Sequence, residues 1–491
     1  MDFCPSAEGT GGSLRSFGIQ SVTDGLMKKF LLIFPIIQVL LGAPCSAKTL
    51  KVPDDFQTIR AAIEVAGEGD RVIVSPGTYR ERVSLKANMT LTSVGNEDAK
   101  SDRFTRAKST ILDGSGVDGE RSGVVMAEGS VLDGFTVTGI GAFDEALWKK
   151  HWEERGQNQK HDDIGTFGVP AIAVDGISCR IQNCLVHHNG HTGIGLRGQK
   201  GVATHPLVIG NRCWRNMGGG IGVMDGASGI VQENECFENL LAGIGHSGEA
   251  APLVMGNDCH DNVRAGIGVS EGACPIVRGN CCHSNRRAGI GIRTGSETRP
   301  VVEGNRCFEN GMAGIGVEDD AEPLLRQNKC EKNQLAGIGT ENGVKAILVA
   351  NECRENQASG IGLNTGCEAV LWRNICEDNA LVALGIPEKG RAIVVENVFS
   401  RRGGVPPLVA IKGGSAAIMT GNKLRGGGVA GILLEGRGVI EGNRIEGGGE
   451  KATNGIWLWK GSEAFGVENV VHGFQHPLTV TPGAEWSGTS P

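Results

Sequence analysis

Between residues 205 and 385 the apolar positions follow neither a helical stripe nor long alternating runs. They come in pieces of about four residues, such as LVIGN, NRCW and GIGV, separated by Gly, Asn and acidic residues. Short alternating pieces bounded by turn residues predict strands joined by tight corners. The pieces recur in a fixed order: NRCWRNMGGGIG (211–222), NECFENLLAGIG (234–245), NDCHDNVRAGIG (257–268), NCCHSNRRAGIG (280–291), NRCFENGMAGIG (305–316), NKCEKNQLAGIG (328–339), NECRENQASGIG (351–362) and the weaker NICEDNALVALG (374–385). The first Asn returns after 23, 23, 23, 25, 23, 23 and 23 residues. Such a period means stacked units, and three strands per unit make one rung of a parallel β-helix. Each strand then pairs with its copy one rung on, about 4.8 Å away.

In such a coil every position meets its own copy above and below. Cys213, Cys236, Cys259, Cys282, Cys307, Cys330, Cys353 and Cys376 should therefore form one interior row of small, polarizable side chains. Their Cα atoms fall within disulfide range, but parallel Cβ vectors favour free thiols over disulfides or a metal ladder. Asn216, Asn239, Asn262, Asn285, Asn310, Asn333, Asn356 and Asn379 should line a corner, donating and accepting along the stack and taking the left-handed backbone conformation. The paired glycines of GIG give room for close packing and unusual backbone angles.

A coil must cap its open core. In TLKVPDDFQTIRAAIEVAGEGD, Phe56, Ile59, Ile63 and Ala66 share a helical stripe, with Asp54 or Asp55 at the cap and Gly67 closing the helix. VIVSPGTYRERVSL and MTLTSV read as first-rung strands around a Pro76-Gly77 turn, which makes Tyr79 structural. The longest interruption is residues 141–168. Its segment DEALWKKHWEER predicts a short helix with Trp148 and Trp152 on one face, laid over the early rungs or serving as a flap over a binding site.

Composition agrees with a repeat architecture, since 78 glycines and 4% aromatics are poor material for compact cores. A net charge of -7 without a basic face argues against nucleic acid or anionic membrane as a partner. Residues 27–47, MKKFLLIFPIIQVLLGAPCSA, follow the pattern of a signal peptide, with an apolar run too short to span a bilayer. Met27 then reads as the start, and residues 1–26 as a disordered or misannotated extension; lipidation at Cys45 is disfavoured by Pro44. The expected organisation is a coil over 48–481 with a flexible tail at 482–491, exported to the periplasm or beyond.

Two sets of residues could carry chemistry. His187, His188 and His191 lie close in sequence to His161, Asp162 and Asp163 of the insert, and imidazoles with carboxylates suit acid–base work. His246 replaces Val223 and Val269 of adjacent rungs and reads as a packing oddity. The position after the ladder cysteine carries Trp214, Phe237, His260, His283 and Phe308 before Glu331, Arg354 and Glu377 take over. Alternation puts this row outside, as a strip of flat rings suited to the C–H faces of sugars.

The segment TIRAAIEVAGEGDRVIVSPGTYRERV followed by NxCxxNxxxGIG rungs resembles the exported right-handed β-helix repeat proteins of bacteria, within the pectin-lyase-like group that includes NosD-type periplasmic proteins. The resemblance covers roughly residues 49–480. It implies a single right-handed parallel β-helix, here about fourteen rungs with a short N-terminal α-helical cap. It does not imply one activity. The sole tyrosine lies in the cap, whereas sugar lyases and epimerases of the group use Tyr with His, and no paired-aspartate or esterase pattern can be matched. The leading expectation is a carbohydrate-associated binding or scaffold protein for a polysaccharide or cell-surface glycan, with Trp148, Trp152, Trp214, Phe237, His260, His283 and Phe308 as contacts. Alternatives are a polysaccharide lyase, epimerase or hydrolase using His161, Asp162, Asp163, His187, His188 or His191, and periplasmic metal handling. No metal ligands are assigned, because the ladder cysteines are expected to be buried, and no cofactor is indicated.

Overall fold

A computed structural model describes residues 47–95, 102–117, 121–156, 169–448 and 452–491. The signal-peptide segment up to Ser46 and His161, Asp162 and Asp163 lie outside the described residues. No helix among the described residues is long and apolar enough to cross a membrane.

Among the described residues three parallel sheets extend between Thr49 and Gly488, one of 18 strands and two of 16. This corrects the expected fourteen rungs. The extra turns lie outside the NxC…GIG signature, where other apolar residues take the cysteine position. The interior row begins Leu112, Val137, Val186, passes through the eight cysteines, and continues as Phe399, Leu424, Ile445 and Val471. The coil also runs past residue 481: Glu485–Gly488, expected as tail, pairs with Glu463–Gly466.

Each regular rung holds three strands of about three residues. In one rung these are Leu207–Ile209 in the first sheet, Arg212–Trp214 in the second, here called the cysteine sheet, and Ile221–Met224 in the third. All eight ladder cysteines are 0% exposed, and every described cysteine is a free thiol. Burial is the largest influence on the Cys236, Cys259 and Cys376 thiols and pushes them well above their ordinary range. Native-state alkylation should therefore label the exposed Cys274 first and the half-buried Cys281 more slowly, leaving the ladder unmodified until denaturant is added. Peptide mapping checks this, and a ladder cysteine labelled in the folded protein would contradict the buried row.

Two asparagine ladders hold the corners. One runs from Asn211 to Asn469, further than the signature itself, and the other from Asn189 to Asn379. At Asn333, Nδ2 donates to the Cys307 carbonyl (3.1 Å) and to Asn356 Oδ1 (2.9 Å), while Oδ1 accepts from the Asn310 main-chain N–H (3.1 Å) and from Asn310 Nδ2 (3.0 Å). Every amide is thus used on both sides, as burial requires. The left-handed conformation falls one residue earlier than expected, at Arg215, Glu238, Asp261, Ser284, Glu309, Lys332, Glu355 and Asp378, with φ between 49° and 54°. The asparagine itself must point inward to reach its neighbours, so the preceding residue makes the bend.

The N-terminal cap is the helix Ile59–Val65, which buries Ile59, Ala62 and Ile63. Its N-cap is Thr58, whose Oγ1 accepts from the Ala61 N–H at 3.1 Å, rather than Asp54 or Asp55. Tyr79 donates to the Ser75 carbonyl at 2.9 Å, a structural contact at the Pro76-Gly77 turn.

Candidate functional site

Side chains alternate along a strand, so the residues flanking each buried cysteine point outward. On the cysteine sheet this makes two outer rows in register. One carries Arg212, Glu235, Asp258, Cys281 and Arg306; the other carries Trp214, Phe237, His260, His283 and Phe308. The rings of the second row stack with centroid separations of 5.7, 5.0, 4.9 and 4.8 Å and interplanar angles of 12° or less. Strand spacing imposes this distance, and it is also the distance at which aromatic rings attract. Each ring therefore covers the face of the next. Arg306 lies 4.3 Å over Phe308, and His187 tilts onto Trp214 at 4.1 Å. The strip anticipated as open faces presents ring edges instead, and its rings are half-buried.

Ionic groups interleave with the column. Arg212 pairs with Glu235 at 2.7 Å, and Glu235 Oε1 lies 3.5 Å from His260 Nε2. His260 Nδ1 meets Asp261 Oδ2 at 2.8 Å, and Asp258 Oδ1 lies 3.3 Å from His283 Nε2. Burial alone would lower the pKa of His260. Hydrogen bonds to Asp261 and Glu235, helped by the Asp258 and Asp261 charges, outweigh it and bring the imidazole to about 9. It is then a cation at neutral pH, which suits charge pairing and hydrogen-bond donation better than proton abstraction.

Walls rise on two sides. Phe104 is buried with Ala107 and Leu185 in a cluster against which Trp214 packs, while the Arg212 guanidinium sits 4.9 Å over the Phe104 ring. Asp102, Arg103 and Phe104 enclose with Arg212, Glu235 and Asp258 a hollow of about 430 Å³. Beyond the opposite corner lies the helix Glu145–Glu153, capped by Asp144, whose Oδ1 accepts from the Leu147 N–H. Trp148 buries itself among Met217, Leu240 and Val263, donates Nε1 to the Glu238 carbonyl at 2.8 Å, and stacks on Trp152 at 5.3 Å. Arg215 and Arg286 cover the two indoles at 4.4 and 3.9 Å. At 4% exposure Trp148 anchors the helix and has no surface for a ligand, which corrects its assignment as a contact.

The other expected residues sit apart. His187 and His188 share a 2.9 Å contact between their Nδ1 atoms at the N-terminal end of the column, separated from His260 by the Trp214 and Phe237 rings. Burial, then the neighbouring His188, holds His187 down to about 4, and burial likewise lowers His188 and His191. His246 lies inside the third sheet between Val223 and Val269, with Nδ1 2.9 Å from the Gly268 carbonyl. Sequence reasoning missed Glu235, Asp258 and Cys281. The available signal was the doubled cysteine of NCCHSN, where alternation forces one of the two thiols outward.

A longer groove of about 1050 Å³ follows the outer face of the first sheet between Glu322 and Trp486. It is lined by the exposed Ile347, Val370, Ile393, Ile418 and Phe465 together with charged residues such as Lys345, Glu368 and Arg391.

Residues 161–299 and 291–405 match the family of the right handed beta helix region. The chain is a right-handed parallel β-helix repeat protein. Among solved structures this β-helix protein is similar to the A-module of the Azotobacter vinelandii mannuronan C-5 epimerase AlgE4, at 16% identity over 88% of this chain and 95% of that one, with a TM-score of 0.34. It is also similar to the periplasmic alginate epimerase AlgG (12% identity, 74% and 80% covered, TM-score 0.40). A third is the catalytic unit of a GH87 alpha-1,3-glucanase from Streptomyces thermodiastaticus (13% identity, 91% and 70% covered, TM-score 0.37). No curated protein matches the sequence.

Proposed function

We propose that this β-helix is an exported carbohydrate-associated binding protein that holds an extended glycan across the outer face of the cysteine sheet between Arg212 and Phe308. The carrying observation is the fixed column of ring edges beside the row Arg212, Glu235, Asp258, Cys281 and Arg306, walled by Phe104. Ring edges and charged groups at strand spacing can meet sugar hydroxyls in a repeating pattern without the site having to reorganise. Export rests on the signal-like segment 27–47.

Titration of the full chain against a panel of neutral and uronate polymers tests this reading. Arg212→Ala or Trp214→Ala should weaken binding of the selected polymer about tenfold, close to 1.4 kcal/mol. Arg425→Ala, on the same sheet face beyond the column, should leave it unchanged. Affinity indifferent to Arg212 and Trp214 would refute the site, and unsaturated products from uronate polymers would replace binding by catalysis.

A further inference from the structure

The outer row before the ladder cysteines carries Arg212, Glu235, Asp258, Cys281, Arg306, Lys329, Glu352 and Ile375. A thiol at one rung of this row has no packing role to explain it, since packing on this sheet is done by Cys282 on the inner face. Cys281 stands directly beside Asp258 in the strand register, and His283 is two residues on, hence on the same face. One ligand atom from each of Asp258, Cys281 and His283 lies within 4.8 Å of the other two. Asp258 Oδ1 and His283 Nε2 are already 3.3 Å apart.

We propose that Asp258, Cys281 and His283 form a binding site for a divalent transition-metal ion of the zinc class. Tetrahedral zinc, with bonds of about 2.0 to 2.3 Å, needs donors about 3.3 to 3.7 Å apart, so a modest side-chain rotation closes the set. Sulfur with imidazole selects zinc-like ions over calcium or magnesium, which prefer oxygen-only shells. The second ring nitrogen of His283, Nδ1, faces Ser284 Oγ at 3.2 Å, the kind of support that fixes a ligating imidazole. Three protein ligands on a solvent-facing sheet leave a fourth position open to solvent, as catalytic rather than structural zinc sites do. The strands carrying the ligands are held on both sides by the ladders, so the site is organised before the ion arrives. The proposal stands independently of the glycan reading.

The test uses the full chain prepared without an affinity tag, stripped with chelator and titrated with Co²⁺. One equivalent should bind with a thiolate-to-cobalt charge-transfer band and the intense visible absorption of a tetrahedral ion, and Zn²⁺ should displace it. Cys281→Ser should abolish the charge-transfer band, and His283→Ala should weaken binding at least tenfold. Cys274→Ser, which removes the exposed thiol elsewhere, should change neither. All three side chains lie outside the core, so unchanged circular dichroism confirms that loss of cobalt is local. No bound cobalt, a charge-transfer band that survives Cys281→Ser, or a weak octahedral spectrum without sulfur character would each overturn the site. Because polymer titration reads Arg212 and Trp214 while cobalt reads Cys281 and His283, either proposal can fail without the other.

Discussion

Gly314→Ala is expected to destabilise the coil by about 3 kcal/mol or more, whereas Gly316→Ala, two residues later, should be neutral to within about 1 kcal/mol. A Cβ on Gly314 would lie 2.8 Å from Asn333 Nδ2, 2.8 Å from the Gly337 carbonyl oxygen and 2.9 Å from Cys330 Cβ. None of the three can retreat, because each belongs to a ladder fixed by its own neighbours. At Gly316 the nearest atom is Ala288 Cβ at 3.7 Å, an ordinary contact. Neither glycine has a positive φ, so of the two roles expected from sequence close packing holds at the first glycine of GIG, and unusual backbone angles hold at neither. Denaturant midpoints of the two variants check the contrast, and equal losses would show that the difference in space is not what matters.

Asn333→Ala should cost about 4 kcal/mol. The substitution takes the acceptor from the Asn310 main-chain N–H and the amide donor from the Cys307 carbonyl, and it breaks the amide chain at Asn356. Each buried polar group left without its partner costs about 1 to 3 kcal/mol, and the void adds to this. Because a solenoid is stabilised rung by rung, the loss should be local. Hydrogen exchange should accelerate across the rungs around residues 305–360 and change little near the N-terminal cap. Asn364→Ala, at an exposed asparagine outside the left-handed region, serves as the control and should stay within about 0.5 kcal/mol. A loss at Asn333 no larger than that would mean that solvent replaces the amide, which its complete burial argues against.

The interior of this protein was legible because a coil converts sequence repetition into spatial adjacency. A 23-residue period places Cys236 against Cys213 and Asn239 against Asn216, and no distant segment competes for those positions. Turns where Val186, Phe399 or Leu424 stands in place of cysteine were less visible, since burial asks only for an apolar side chain of suitable size. The bend residue was misassigned for a similar reason. Composition marks Asn as tolerant of left-handed backbone, yet Glu309 and Lys332 adopt it because the asparagine is committed to the ladder.

Sequence by itself determined the stacking direction of every repeated side chain, the inward cysteine row, the asparagine corners and the outward ring column. These follow from the period and from alternation, both local properties of the chain. Tertiary structure alone decided that the rings cover one another's faces, that Trp148 is spent anchoring the insert, and that Phe104 walls a column beginning more than a hundred residues later. It also decided that Asp258, Cys281 and His283 converge. The physical reason is that side-chain rotation and the docking of inserted segments depend on contacts between residues that no period relates.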